Sequence, residues 1–373
     1  VSHELVFCKD AVATEIYTSS TTGRAKGVML SHRNLDAASE AITSYLENRS
    51  EDVLLGVLPL AFGYGLSQLL TAFRVGATLV LERSFLYPYP VIEKLVQERV
   101  TGFALVPTLV SLFMPLEGLG RHDFSSLRYV TTAAQAISRP QLEALKRMFP
   151  GARIYSMYGQ TECTRIAYLP PEELDRRPDS VGKAIPGMDL HLVDDDGKPV
   201  SRPGVAGELV ARGPNVMLGY WNLPEETARR LRPGPCPGEV FLHTGDLFTF
   251  DEEGFLYFIS RRDDMIKCGG ELVSPREVES VIADLGGVVE TAVVGVPDPV
   301  LGQAVHAAVV PAPGAGLTDA DVRRHCAAHL EAFKVPKRVV LAAALPKTPT
   351  GKIQRSAVAV LTTAPESENE EAS

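Results

Sequence analysis

The sequence predicts an α/β protein whose second part is β-rich and which closes with a small α+β domain. Three observations carry this. Short apolar runs alternate with helical patterns through the first half of the 373 residues, the signature of strands and crossover helices. Residues 182–259 change texture to short β runs broken by Asp194-Asp195-Asp196-Gly197, Arg202-Pro203-Gly204 and Asp251-Glu252-Glu253-Gly254, all strong turn signals. A charged break, Arg261-Arg262-Asp263-Asp264, then precedes a stretch of about one hundred residues, a usual size for one domain.

The elements follow in order. Residues 77–81 predict a buried strand after a turn at Gly76, and residues 91–100 a helix with Ile92, Leu95 and Val96 on one face. Residues 103–106 read as the next strand, ended by Pro107, and residues 141–148 as another helix. The strand at 153–157 delivers Tyr158-Gly159-Gln160-Thr161-Glu162 at its C-terminal end, where open α/β sheets bind ligands. Beyond the charged break, Ser274 would cap a helix that starts at Pro275. Residues 290–296 and 306–310 read as strands and 319–330 as a helix. The expected division is 1–262 (1–181 α/β, 182–262 β-rich) and 263–361. The tail at 362–373, with four glutamates among polar residues, is expected to be disordered.

Composition removes several classes of function. A net charge of -9 and a pI near 5.5 argue against a general binder of nucleic acid or membrane surfaces. Cys8, Cys163, Cys236, Cys268 and Cys326 are scattered with no C-x-x-C pair, as expected of reduced thiols. His325 and His329 sit four apart with no second ligand pair, so a solvated helix face is expected there. Residues 1–15 lack a basic region followed by an apolar stretch, and no apolar run approaches membrane-spanning length. A cytoplasmic protein is expected.

The segment Tyr17-Thr18-Ser19-Ser20-Thr21-Thr22-Gly23-Arg24-Ala25-Lys26-Gly27 is the most informative in the chain. Hydroxyls and glycine N–H groups can wrap phosphate oxygens, while Arg24 or Lys26 supplies compensating charge. No glycine precedes a Lys-Ser or Lys-Thr pair at Walker spacing, so this is not a P-loop. Alone, it would read as a polar surface turn. Four more segments follow it: Tyr158-Gly159-Gln160-Thr161-Glu162, Thr244-Gly245-Asp246, Arg261-Arg262-Asp263-Asp264 and Pro349-Thr350-Gly351-Lys352-Ile353. Between them lie Gly207-Glu208-Leu209, Gly219-Tyr220-Trp221 and Pro275-Arg276-Glu277-Val278-Glu279. In this order, the set resembles the adenylate-forming superfamily of acyl-CoA synthetases, aryl-CoA ligases, acyl-carrier-protein ligases and peptide-synthetase adenylation domains. The resemblance runs from about Thr14 to about Arg355.

That resemblance implies an adenylate-forming fold: a large N-terminal domain and a small mobile C-terminal lid. It also implies ATP-dependent activation of a carboxylic acid as an acyl-adenylate, then transfer to a phosphopantetheine thiol. By the same resemblance Thr18, Ser19, Ser20, Thr21, Thr22, Gly23 and Lys26 would surround the phosphates. Lys352 would bridge the substrate carboxylate and the α-phosphate, and Thr161 would bond that phosphate. Glu162 would hold Mg²⁺, a hard ion suited to a carboxylate and phosphate oxygens. Asp246 would accept from both ribose hydroxyls with Arg261 beside it. Tyr158, followed by Gly159, would lie against the adenine, whose edge would meet Thr132-Ala133-Ala134-Gln135. Asp263 takes the hinge position, and Gly269-Gly270 matches the loop that lets a thiol arm pass. That arm belongs equally to coenzyme A and to a carrier protein.

Departures from the family pattern shape the remaining expectations. Ser20 stands where the family loop has glycine, which could cost about 1–2 kcal/mol if φ is positive; Ala25 stands in place of proline and loosens the loop. Amino-acid-activating members place an aspartate where this chain has Gly63. A buried ammonium without a partner is costly, so a fatty or aromatic acid is expected over an α-amino acid. The family also carries a substantial N-terminal subdomain before the phosphate loop, against sixteen residues before Tyr17 here. Sheet faces at 79–81, 103–106 and 154–157 are therefore expected to lack cover, with self-association or a partner chain covering them. The acyl pocket is expected to open on the side of residues 62–68. A partial or degenerate module that binds nucleotide or a partner without turnover is the alternative; the intact Thr161, Glu162, Asp246, Arg261 and Lys352 set favours the ligase.

Overall fold

The computed structural model describes residues 8–18, 25–83, 85, 87–134, 137–234, 236–348 and 352–364. It divides into two units, residues 1–244 with 248–257, and residues 245–247 with 258–373.

The first unit is built on a seven-stranded sheet in the order Thr78–Leu81, Val53–Gly56, Gly102–Leu105, Tyr129–Thr132, Arg153–Tyr158, Ala167–Leu169, Lys183–Ala184. The first five strands run parallel and the last two turn antiparallel. Parallel strands must be covered on both faces, and every residue of Gly102–Leu105 and Tyr129–Thr132 is buried. The expected bare faces are thus overturned for two of three strands. Residues 103–106 are at most 3% exposed, and Ile154 and Met157 are buried. Tyr45, from the His32–Leu46 helix, reaches across to donate to the Met157 Sδ at 3.1 Å. Only the edge strand Thr78–Leu81 leaves apolar surface open, with Leu81 55% exposed. Residues 62–68 are likewise not an open wall: they enter the Gly63–Val75 helix, and Tyr64, Ser67 and Gln68 are buried.

Local chemistry explains the helix boundaries. Ser31 with Asn34, and Ser138 with Gln141, form reciprocal caps that satisfy the first N–H groups of their helices. The helix expected at 91–100 spans Pro88–Gln97 instead, because prolines sit in its first turn, where no donor is lost. Asp52 locks the lower edge of the sheet. It is 3% exposed and accepts from Arg128 Nε (3.0 Å) and Nη2 (2.7 Å), Thr101 Oγ1 (2.8 Å) and the Arg49 N–H (2.8 Å). Burial raises its pKa, but these donors outweigh it and hold the carboxyl below its ordinary value. Asp52→Ala should therefore cost about 2–4 kcal/mol in urea unfolding at pH 7 by stranding Arg128 and Thr101. Because the folded pKa is depressed, this contribution is present above the ordinary carboxylate range, about pH 4, and fades as pH falls below it. Wild type should lose more stability than Asp52→Ala between pH 5 and pH 3 (about one unit either side of that value); equal losses would refute the assignment.

Two smaller sheets complete this region. Val12–Thr18 and Lys26–Ser31 form a hairpin with Gly219–Tyr220 beyond it. Asp189–Val193, Gly207–Arg212, Val240–Phe250 and Leu231–Pro233 form a sheet that Leu256–Arg261 joins on Val240–Phe250. Its turns are where the sequence places them: Asp194 Oδ1 accepts from the N–H groups of Asp196 and Lys198, and Asp251 Oδ1 from those of Glu253 and Phe255.

The second unit pairs Glu271–Val273, Ile266–Cys268, Gly302–Pro311 and Val288–Asp298 in that order, with Arg338–Leu341 parallel to Gly302–Pro311. Strand alternation builds one apolar layer on each face. Val293, Val305, Ala307 and Val309 pack with Val278, Ile282, Val322 and Cys326, from the Pro275–Ala283 and Asp319–His329 helices. Ala292, Val294, Ala308 and Val310 pack with Val358 of the Arg355–Thr363 helix. Ser274 caps Pro275–Ala283 as the sequence predicts, accepting from the Glu277 N–H at 3.4 Å. The disordered tail expected from 362 is corrected at its start. Thr362 is fully buried and Thr363 ends the helix, because the apolar spacing of Val358 and its neighbours continues the turn. Residues 365–373 lie outside the described residues.

Candidate functional site

The candidate residues fall into two sets, one in each unit. In the first unit, Thr18 pairs directly with Lys26 across the hairpin, so both flanks of the phosphate-type segment are held in register. Ser19, Ser20, Thr21, Thr22 and Gly23 lie outside the described residues. Lys26 Nζ meets Glu226 Oε2 at 2.7 Å and lies 5.3 Å from the centre of the Tyr220 ring. The Tyr220 hydroxyl donates to Glu162 Oε1 at 2.7 Å. Burial, together with the Glu162 carboxylate, pushes the Tyr220 phenol far above its ordinary value, so it stays a donor. The neutral Tyr220 thus links the Glu162 carboxylate to the Lys26–Glu226 ion pair, although Glu162 and Tyr220 are 58 residues apart.

Thr161 and Glu162 occupy a single turn, Thr161–Cys163, directly beyond the Arg153–Tyr158 strand. The Met217 N–H donates to the Glu162 carbonyl at 2.9 Å. Asn215 donates to the carbonyls of Cys163 (3.0 Å) and Arg165 (2.7 Å), which clamps the chain after the turn. Gly159 is required here, since a Cβ would stand 2.6 Å from the Thr164 carbonyl oxygen. Gln160 donates to the Thr244 carbonyl at 3.0 Å, and the Tyr158 ring meets Phe248 edge-on at 5.0 Å. Ala134 adopts φ 77°, a left-handed conformation that normally favours glycine. The alanine therefore bears the backbone geometry for which the family loop uses glycine; Gln135 is outside the described residues.

In the second unit, Asp246 is 4% exposed, and Arg261 Nε approaches its Oδ1 at 3.5 Å. Asp263, exposed, lies in the Arg262–Asp264 turn; its neighbour Asp264 pairs with Arg355 Nε at 3.5 Å. Gly269 and Gly270 have φ of 61° and 92° and close the hairpin between Ile266–Cys268 and Glu271–Val273. A two-residue turn with both φ positive demands glycine for its own sake. Lys352 is half-buried in a short ladder, its carbonyl accepting from Thr348 N (2.7 Å) and its N–H donating to Thr348 Oγ1 (3.1 Å). The adjacent Lys347 is anchored on Glu290 at 2.7 Å.

Sequence reasoning missed four participants. Tyr220 was visible only as part of a connecting block, while Glu226, Asn215 and Arg165 carried no motif signal. The donor set around Glu162 consists of hard oxygens, so one carboxylate beside a hydroxyl-bearing turn fits a magnesium ion shared with phosphates.

Residues 4–221 match the AMP-binding enzyme family, and residues 277–352 match the AMP-binding enzyme C-terminal domain. Among curated relatives, a long-chain-fatty-acid–CoA ligase of Salmonella typhimurium is 36% identical over 344 residues, 91% of this chain and 60% of that protein. An oxalate–CoA ligase of Arabidopsis thaliana is 34% identical over 369 residues, 95% of this chain and 68% of that protein. Among solved structures, ATP-bound MatB from Rhodopseudomonas palustris superposes with a TM-score of 0.87 at 31% identity, covering 95% of this chain and 69% of that one. The chain belongs to the AMP-binding enzyme family, with its adenylate-forming fold. It spans only 60% of the Salmonella relative. Among the described residues, no helix is long and apolar enough to cross a membrane.

Proposed function

We propose that this chain carries the machinery of an AMP-forming acid–thiol ligase. A carboxylate oxygen attacks the α-phosphorus of ATP, the bond to the β-phosphate breaks, and pyrophosphate leaves an acyl-adenylate. A thiolate then attacks the acyl carbonyl and AMP departs. The Glu162–Tyr220–Lys26–Glu226 chain is the observation that carries this reading: it sets an oriented carboxylate near a cation that, in sequence, closely follows the hydroxyl-rich segment, residue types suited to a phosphate anion and its metal. Thr161 and Glu162 face the phosphates in this reading, Asp246 and Arg261 hold the ribose, and Lys352 neutralises the two anions as they approach. Bound magnesium, held by Glu162, would add positive charge at the phosphates.

The thiol is that of coenzyme A or of a carrier protein, reached past Gly269 and Gly270, with Asp263 as the hinge between half-reactions. The lid of this reading is 263–361, following a domain at 1–262. In this reading the enzyme is cytoplasmic. The open edge strand Thr78–Leu81 supports a covering partner chain or self-association. Acid-dependent pyrophosphate release, measured with ATP, magnesium and a panel of carboxylic acids, tests the reading. Nucleotide binding with no release for any acid would favour a binding module without turnover.

A further inference from the structure

Arg165 presents a cation that no described residue neutralises. The residue is 2% exposed, its Nε is buried with no hydrogen-bond partner, and its guanidinium is in no ion pair among the described residues. Its guanidinium carbon lies 5.1 Å from the centre of the Tyr64 ring. That ring is fixed, because the Tyr64 hydroxyl is bonded to Thr131 Oγ1 at 2.6 Å. The backbone is fixed as well, by Asn215 on the Arg165 carbonyl. Thr164, just before it, has φ 43° and ψ -60°, and its Oγ1 is buried without a partner. Thr164 also lines a small, largely apolar cavity with Leu35, Ile42, Leu66 and Leu70.

A guanidinium in such a place is costly unless an anion meets it, and an aromatic face offsets only part of that cost. A neutral side chain of similar volume would pack here with less penalty. The cation therefore suits an anion that comes from outside the chain. Arg165 follows Glu162 by three residues, and Gly159 and Asn215 hold both on one clamped loop. In the ligase reading Thr161 and Glu162 face the phosphates, and the acid must bring its reacting carboxylate to the α-phosphate there, so the acid is bound beside the loop that carries Arg165.

We propose, resting on that reading, that the acid carries a second carboxylate, remote from the reacting one, which pairs with Arg165. The planar fork of a guanidinium binds a carboxylate through two parallel hydrogen bonds. The same charge would repel an α-ammonium group, in keeping with the glycine at position 63. This narrows the substrate from carboxylic acids at large to dicarboxylic acids.

The test compares unbranched C3 to C8 dicarboxylic acids, each against its monomethyl ester, on the full chain by calorimetry and separately by pyrophosphate release. At least one diacid should bind about 10- to 100-fold more tightly than its half-ester, the scale of a charge-assisted pair. Arg165→Met should erase that preference while its melting temperature holds or rises, and Arg165→Lys should restore part of it. Equal binding of diacid and half-ester, or no diacid binding at millimolar concentration, would overturn the proposal. So would a marked drop in Arg165→Met melting temperature, which would mean a structural cation, or a loss of ATP affinity with diacid preference unchanged, which would make the anion a phosphate. Pyrophosphate release with monocarboxylic acids alone would keep the ligase reading and remove this one; diacid binding without release for any acid would do the reverse.

Discussion

Lys352→Ala should slow acyl-adenylate formation by about 100- to 1,000-fold, the scale of losing one preorganised electrostatic contact with a transition state. The reaction joins two anions, and the proposed task of this lysine is to neutralise both as they meet. Its backbone is held by Thr348 on both sides, and Lys347 beside it is anchored to Glu290, so removing the side chain beyond Cβ leaves the ladder intact. ATP affinity should change little, since Asp246 and Arg261 are assigned to the nucleoside. Thioester formation from a pre-made adenylate should survive, because that step builds no bond to phosphorus. Pyrophosphate exchange at the wild-type rate in the variant would sink the assignment of Lys352.

Asp263→Pro should separate the two half-reactions, sparing adenylation and lowering transfer to the thiol by about 100-fold, the cost of misplacing a reacting group by around an ångström. Proline locks φ and removes a donor. At the second position of the Arg262–Asp264 turn, the lost N–H belongs to a helix start, where donors are unpaired in any case. The Asp263 side chain is exposed, while its neighbour Asp264 is tied to Arg355 and Arg355 to Glu279, so the fold should tolerate the change. What proline denies is a large change in backbone angle, which a hinge needs. Stopped-flow measurement of each half-reaction reads the difference. Equal loss in both steps, with a lowered melting temperature, would mean misfolding and remove the hinge.

Much of this was legible in the sequence, and for identifiable reasons. Strands at 103–106 and 153–157 and the cap at Ser274 rest on periodicity and local side-chain-to-backbone bonds, which neighbours in sequence settle. The candidate site motifs were legible because the roles proposed for them, at phosphate, ribose and metal, call for these residue types. Boundaries were less so: the prolines in the first turn moved one helix start from 91 to Pro88, and the last helix continued through Thr363.

The sequence by itself determined the alternation of elements, the family and the candidacy of Thr161, Glu162, Asp246, Arg261 and Lys352, since these follow from local pattern and residue chemistry. Only the tertiary structure decided that the strands at 103–106 and 154–157 are covered, because cover comes from segments distant in the chain, as where Tyr45 meets Met157. It alone decided that Tyr220 holds Glu162, that Glu226 neutralises Lys26 and that Arg165 is buried on Tyr64 without an ion-pair partner among the described residues. Those partners lie 58, 200 and 101 residues apart in the chain. Burial and long-range pairing depend on which segments fold against one another, and no local pattern of residues encodes that.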